Sequence, residues 1–130
     1  MARLFWHTDP MKSERGLSNS VQLTVLFPLA FLIFLTVVQW ALVTWANSSA
    51  LAAAQDGAAV ASALDGSADA GREAAQLAAD NGSMGSFTVE IRRDARHTVV
   101  TVRGVAHTLL PDLLGAVEKT VTRPTERLTP

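Results

Sequence analysis

Residues capable of chemistry are few in this chain and stand apart. His7, His97 and His107 are its only imidazoles. No His-x-x-x-His pair or neighbouring carboxylate set makes a zinc ligand group of any of them. Ser18 and the Ser48-Ser49 pair have no partnered base to raise a hydroxyl to a nucleophile. Cys is absent, which removes disulfides, thiolate chemistry and Cys-type metal centres together. No glycine-rich loop of the phosphate-cradling kind occurs. Arg92, Arg93 and Arg96 form one basic spot, which reads as a solvated hairpin tip rather than a site for polyanions. A net charge of -1 gives no general attraction to nucleic acid. The residues therefore predict no catalytic group, cofactor, metal, nucleic-acid partner or small-molecule substrate, and the chain is not expected to be an enzyme.

What the chain has in quantity is apolar helix. Between Arg15 and Asp56 there is no Asp, Glu, Lys or Arg, and from Val21 to Ala46 the polar residues are Gln22, Thr24, Thr36, Gln39 and Thr44. A soluble amphipathic helix would show charge on one face in every turn or two. A hydrocarbon core of about 30 Å takes roughly 20 helical residues to cross, so this run spans a bilayer. Pro28 alone implies only a kink near residue 24, because neighbours can re-satisfy the freed carbonyl. Gln22 and Gln39 suit interhelical hydrogen bonds or an interface. Counting only Lys and Arg, Arg3, Lys12 and Arg15 precede the run and none follows before Arg72. That asymmetry predicts a single-pass protein of the cell membrane, with a cytoplasmic N-terminus, an extracytoplasmic C-terminal part, and Trp40 and Trp45 at the outer interface. The competing reading is a cleaved secretory signal ending at Ala50-Leu51-Ala52, against which the length of the apolar run argues.

Beyond the span the alanine-rich stretch to Leu64 has strong helix propensity, with Gly57 its weakest point. Ala46, Ala50, Ala54, Ala58 and Ser62 recur at every fourth position, and Ala53, Gly57 and Ala61 form the neighbouring ridge. Small residues so spaced allow two helix backbones to approach closely. Asp65-Gly66-Ser67 breaks the helix. Ser67 or Asp69 can cap a second one running to about Asp80, with Ala74, Ala75, Leu77 and Ala78 available for burial, and Asn81-Gly82 supplies its stop. Residues 82–86 read as a polar linker. Phe87, Val89 and Ile91 alternate with polar residues at the period of a half-buried strand. After a turn at 94–96, residues 97–108 return as a second strand. Pro111 starts a turn or short helix through Leu114, and residues 117–123 add a third strand before Pro124 ends it. The expected fold class is α+β. It comprises a leader at 1–16, a transmembrane and extended helix at 17–64, and at 65–130 a small domain with a second helix and a three-stranded antiparallel sheet covered by helix.

The order of these features resembles the TadE-like proteins of tight-adherence (Flp) pilus systems, particularly their short actinobacterial kind. Glu14-Arg15-Gly16, then Val21-Gln22-Leu23, then Pro28, look like that family's leader end, helix start and helix proline. Ala52-Ala53-Ala54-Gln55-Asp56-Gly57-Ala58 is similar to its alanine-rich segment after the membrane. Val100-Thr101-Val102, Leu110-Pro111 and Pro124-Thr125-Glu126-Arg127 fit its tail, so the resemblance runs over about residues 14 to 128. It implies a minor, pilin-like membrane protein that helps assemble a surface pilus or related secretion apparatus. Its partners would be the lipid bilayer, other pilin-like subunits and assembly-platform proteins, and it would act through helix and domain packing. It also implies peptidase cleavage between Gly16 and Leu17. Here the sequence departs from the pattern: the fifth residue after Gly16 is Val21, and Gln22 stands one place further on as an amide where such precursors carry Glu. An amide offers a neighbour's ammonium only a neutral hydrogen bond, roughly half the strength of a charged one. A generic membrane-anchored binding or envelope module is the alternative.

Overall fold

The computed structural model describes residues 10–109 and 115–128. Its elements are α1 (Pro10–Ser62), α2 (Ala68–Ala79), β1 (Met84–Arg93), β2 (His97–Ala106) and β3 (Ala116–Pro124). The strands pair antiparallel in the order β1-β2-β3. The chain is α+β, as its periodicities predict.

Two units can be distinguished, Met1–Val37 and Val38–Pro130. In the first, Pro10 opens α1, where a missing N–H costs nothing. Val21, Leu23, Phe27, Leu29, Ile33 and Phe34 are all exposed, and Phe27 and Phe31, one turn apart, stack with centroids 6.4 Å apart. The hydroxyls of this stretch are satisfied within the helix: Thr24 donates to the carbonyl of Ser20 and Thr36 to that of Leu32, both at 2.8 Å. Such bonds to the preceding turn let Thr sit in an apolar medium without a further partner.

The second unit takes in the rest of α1 with everything after it. Helix α1 runs unbroken through Asn47, Ser48 and Ser49, helped by Asn47 donating its amide to the Val43 carbonyl at 3.0 Å. Ala46, Ala50, Ala53, Ala54, Ala58 and Ala61 are fully buried. On the central strand β2, Val100 and Val102 are buried to the same degree. Register sets Val89 opposite Val102, Ile91 opposite Val100, and Val121 opposite Val100 on the other side. The period of two thus gives one apolar face, which joins the alanines of α1, Ala79 of α2 and Met84 in a single core. Alanine buries little area, so the two β2 valines, at about 1.5–3 kcal/mol each, carry more of the hydrophobic term than any alanine. The opposite face is polar: Arg103 pairs with Glu118 at 3.2 Å and Thr101 with Thr120 at 3.1 Å. Exposed pairs of this kind are worth under about 1 kcal/mol.

Helices α1 and α2 meet at two glycines. A Cβ on Gly57 would lie 2.9 Å from the Ala75 Cβ and 3.0 Å from the Gly71 carbonyl oxygen. A Cβ on Gly71 would lie 2.5 Å from the Ala61 Cβ and 2.7 Å from the Gly57 oxygen. Gly57 weakens α1 by roughly 1 kcal/mol in local propensity, and the contact it permits explains its place there. Ser67 caps α2, its hydroxyl accepting from the Ala70 N–H at 3.1 Å. Gly82, at φ +81°, redirects the chain after the helix. Carbonyls left open at the end of α1 find donors elsewhere: Glu126 N–H reaches the Ser62 oxygen at 2.8 Å, and an Arg93 guanidinium nitrogen reaches that of Ala63 at 3.3 Å.

Three details differ from the sequence expectation. Residues 84–86 are strand, not linker, because Met84 pairs with Ala106 across a bulge and buries its side chain in the core. Leu77 is 73% exposed; the buried stripe of α2 is Gly71, Ala75 and Ala79, since only small residues fit where the helices touch. The second strand ends at Ala106 and α1 at Ser62. The expected turn at Pro111–Leu114 lies outside the described residues.

Gly71→Val should therefore lower the unfolding free energy by about 1–3 kcal/mol or more through overpacking. Gly85→Ala, whose Cβ would meet nothing closer than 3.6 Å, should change it little. Thermal melts in detergent compare the two, and equal melting temperatures would refute the crossing.

At the β1–β2 turn, Asp94 Oδ1 accepts from the His97 N–H at 2.7 Å and the Arg96 N–H at 2.8 Å. These bonds, His97 first, hold its carboxyl below the ordinary value of 3.8. A lowered folded value means that the turn's stabilisation is present above 3.8 and is lost as pH falls through the folded value. The protection factor of the His97 amide, its exchange rate relative to an unfolded peptide at the same pH, should accordingly fall on acidification below that point, and should change little with pH in Asp94→Ala.

Candidate functional site

The candidate site is a surface rather than a cleft. Its first part is the exposed apolar helix. Within Ser18–Ser62 lies a stretch apolar and long enough to cross a membrane, with none of its most apolar window buried by the protein. An exposed run of Leu, Phe, Val and Ile on this scale is unfavourable in water and matches lipid. Its polar residues suit that medium, for Thr44, like Thr24 and Thr36, donates to the carbonyl four residues back, that of Trp40 at 2.9 Å.

Gly16 and Leu17 lie within α1. Gly16 is exposed, and a Cβ there would meet nothing within 4 Å. Gln22 is exposed, and Pro28 sits inside the helix.

The second part is the small-residue ridge. Ala46, Ala50, Ala54, Gly57, Ala58 and Ala61 are brought together on one side of α1 and all are buried. What fills the space beside Gly57 and Ala61 is the chain's own α2, with Val100 3.4 Å from a Cβ at Gly57. Ser49, next to this ridge, accepts from the Asn81 amide at 2.8 Å, and Asn81 in turn accepts from the Ser83 N–H at 3.0 Å. That pair ties the end of α2 to α1.

Gln39 has a role that its sequence position did not reveal. It is 7% exposed, and its Oε1 accepts from the backbone N–H of Leu109 at 2.7 Å. A glutamine among apolar residues thus anchors Leu109, three residues past β2 and seventy positions away. Glu126 was likewise unforeseen; its carboxylate accepts from the Leu64 N–H at 3.3 Å. Both contacts are long-range, and no local pattern signals them. The imidazoles and carboxylates do not converge: among the described residues no group of three or more His, Asp or Glu could hold a metal ion.

Residues 19–59 match the family described as TadE-like protein. The matched segment contains Gln22, Pro28, the exposed apolar run from Val21 on and the ridge from Ala46 to Ala58. Gly16, Leu17, Ala61, α2 and the sheet lie outside it. The resemblance drawn from the sequence is met on that segment. No curated protein and no solved structure matches the chain.

Gln39→Leu leaves the Leu109 N–H without its acceptor and should destabilise the second unit by about 1–3 kcal/mol, against under about 0.5 for Gln22→Leu at an exposed position. Denaturant unfolding in micelles, followed by the signal of the sheet, checks both; equal midpoints would contradict the Gln39 contact.

Proposed function

We propose that this chain is a single-pass membrane protein of the TadE-like, pilin-related kind. It takes part in assembling a Tad-type pilus or related secretion apparatus through helix and domain packing, without catalysis of its own. The observation that carries the reading is the coincidence of three properties in residues 19–59: the match to the family, an uncharged helical run that the protein leaves uncovered, and its direct continuation into a helix bearing a packed small-residue ridge. A helix that waits in lipid and packs against other helices must carry no bare charge and must satisfy its polar groups internally, as Thr24, Thr36 and Thr44 do. The flanking Lys and Arg residues support a cytoplasmic N-terminus and an extracytoplasmic second unit.

Partners in this reading are the bilayer, other pilin-like subunits and polytopic platform proteins. The generic anchored module is supported by one observation, that the ridge around Gly57 is already filled by the chain's own α2. Contacts with other subunits would then fall to the exposed part of α1. Processing at Gly16-Leu17 belongs to the pilin-like form of the proposal, and the mass of the native N-terminus reads it directly.

Membrane fractionation should recover the full-length chain only with detergent. Photo-crosslinking from Phe31 or Phe34 in intact cells should capture further membrane proteins of the apparatus. A chain soluble in plain buffer sinks the membrane reading; capture of lipid alone leaves the anchored module.

A further inference from the structure

The two edges of the sheet differ. That of β1 is interrupted by the bulge between Met84 and Ser86 and lies beside α2, since a Cβ on Gly71 would stand 3.1 Å from the Ile91 Cδ1. Bulges and covering helices blunt an edge against further pairing. β3 pairs with β2 along its whole length without a register shift, and the strand order leaves its other side open. Hydrogen bonds at both ends of this ladder fix which groups point outward: the Ala106 N–H donates to the Gly115 carbonyl at 2.7 Å and the Thr125 N–H to that of Arg96 at 3.0 Å. Alternation between those ends turns the backbone groups of Val117, Lys119, Val121 and Arg123 toward β2, and those of Glu118, Thr120 and Thr122 away from it. Among the described residues nothing bonds the outward groups.

Alongside this edge runs a groove of about 430 Å³ between α1 and β3, lined by Gln55, Asp56, Ala59, Val121 and Arg123. Val121 packs at the margin of the core. Half-buried Lys119 and exposed Arg123 alternate with Val117 and Val121 on the same face of β3. The ion pairs among the described residues are Asp69–Arg72 and Arg103–Glu118, so neither cation has a carboxylate there. An edge so charged rejects a purely apolar strand, which would cover both cations unpaired.

We infer that β3 accepts an extended segment of another protein as a fourth strand, seated in the groove between this edge and α1. The guest runs antiparallel to β3 and bonds the backbone groups of Glu118, Thr120 and Thr122. It sets an apolar residue opposite Val121 and a carboxylate opposite Lys119. Opposite Arg123 it carries an amide side chain, which accepts from the guanidinium and donates to Asp56. Main-chain bonds give such a complex its affinity and alternate side chains its specificity. The guest is not a second copy of this chain. α1 follows the strands, with Gln39 bonded to Leu109 at one end and Ser62 to Glu126 at the other, so antiparallel pairing of two β3 edges would turn their Val38 ends opposite ways. Chains anchored in one membrane do not pair so, and this exclusion alone rests on the membrane reading.

The probe is the peptide Thr-Gln-Thr-Val-Thr-Glu-Thr-amide, labelled with fluorescein at its N-terminus. It is titrated with the full-length chain in dodecyl maltoside micelles and read by anisotropy against empty micelles. The peptide with Lys in place of Glu should bind about tenfold more weakly, and one N-methylated on its two central threonines should not bind. Thr120→Pro removes an outward N–H alone, so the melting temperature should hold while binding is lost. Lys119→Glu should reverse the preference toward the Lys peptide. Anisotropy no different from that in empty micelles, equal binding of the N-methylated peptide, or no reversal in Lys119→Glu overturns the inference. So does a dimer in sedimentation equilibrium that Thr120→Pro dissociates, because a second copy then fills the edge. Each of these results leaves the membrane reading standing, since fractionation tests that separately.

Discussion

The close approach of α1 and α2 at Gly57 and Gly71 is the constraint on which the second unit depends. With less than a side chain's space between the backbones, everything on that side of α1 must be small, and from Ala46 to Ala61 it is. The reward for such proximity is that one layer of helix can pack on a three-stranded sheet, with Val100 and Val102 supplying the bulk that alanine cannot. A larger residue at the crossing would separate the layers and expose those valines.

The same economy explains the polar contacts. A sheet of three strands has little core to spare, so its attachment to α1 is reinforced by hydrogen bonds at both ends and the middle: Gln39 to Leu109, Ser49 to Asn81, and Ser62 to Glu126. Each bond is worth only about 1 kcal/mol net, but their spacing along the helix leaves a single register in which all three can form. The unpartnered part of α1 needs no such arrangement, because its hydroxyls turn back onto their own helix.

Ridges of small residues are read from sequence as surfaces for another helix; here its Gly57–Ala61 part meets α2 of the same chain, and its alanines share one core with the valines of the sheet. This shifts any contact with further subunits toward side chains the second unit leaves open. A TadE-like match confined to residues 19–59 is consistent with that division: the matched segment supplies an apolar helix and a packing ridge, and the remainder of the chain supplies what covers the ridge.

Periodicity and charge were enough to determine the α+β class, the uncharged span, a cap at Ser67 or Asp69, the turn at Asp94 and the alternation of the strands, because each depends on residues within a few positions of one another. The ridge, too, was legible as small residues at fourfold spacing. Only the tertiary structure decided what fills that ridge, that Leu77 faces solvent, that Met84 begins a strand, and that Gln39 and Glu126 reach across the chain. Those outcomes depend on which surfaces meet after folding, and a residue's neighbours in sequence carry no record of its neighbours in space.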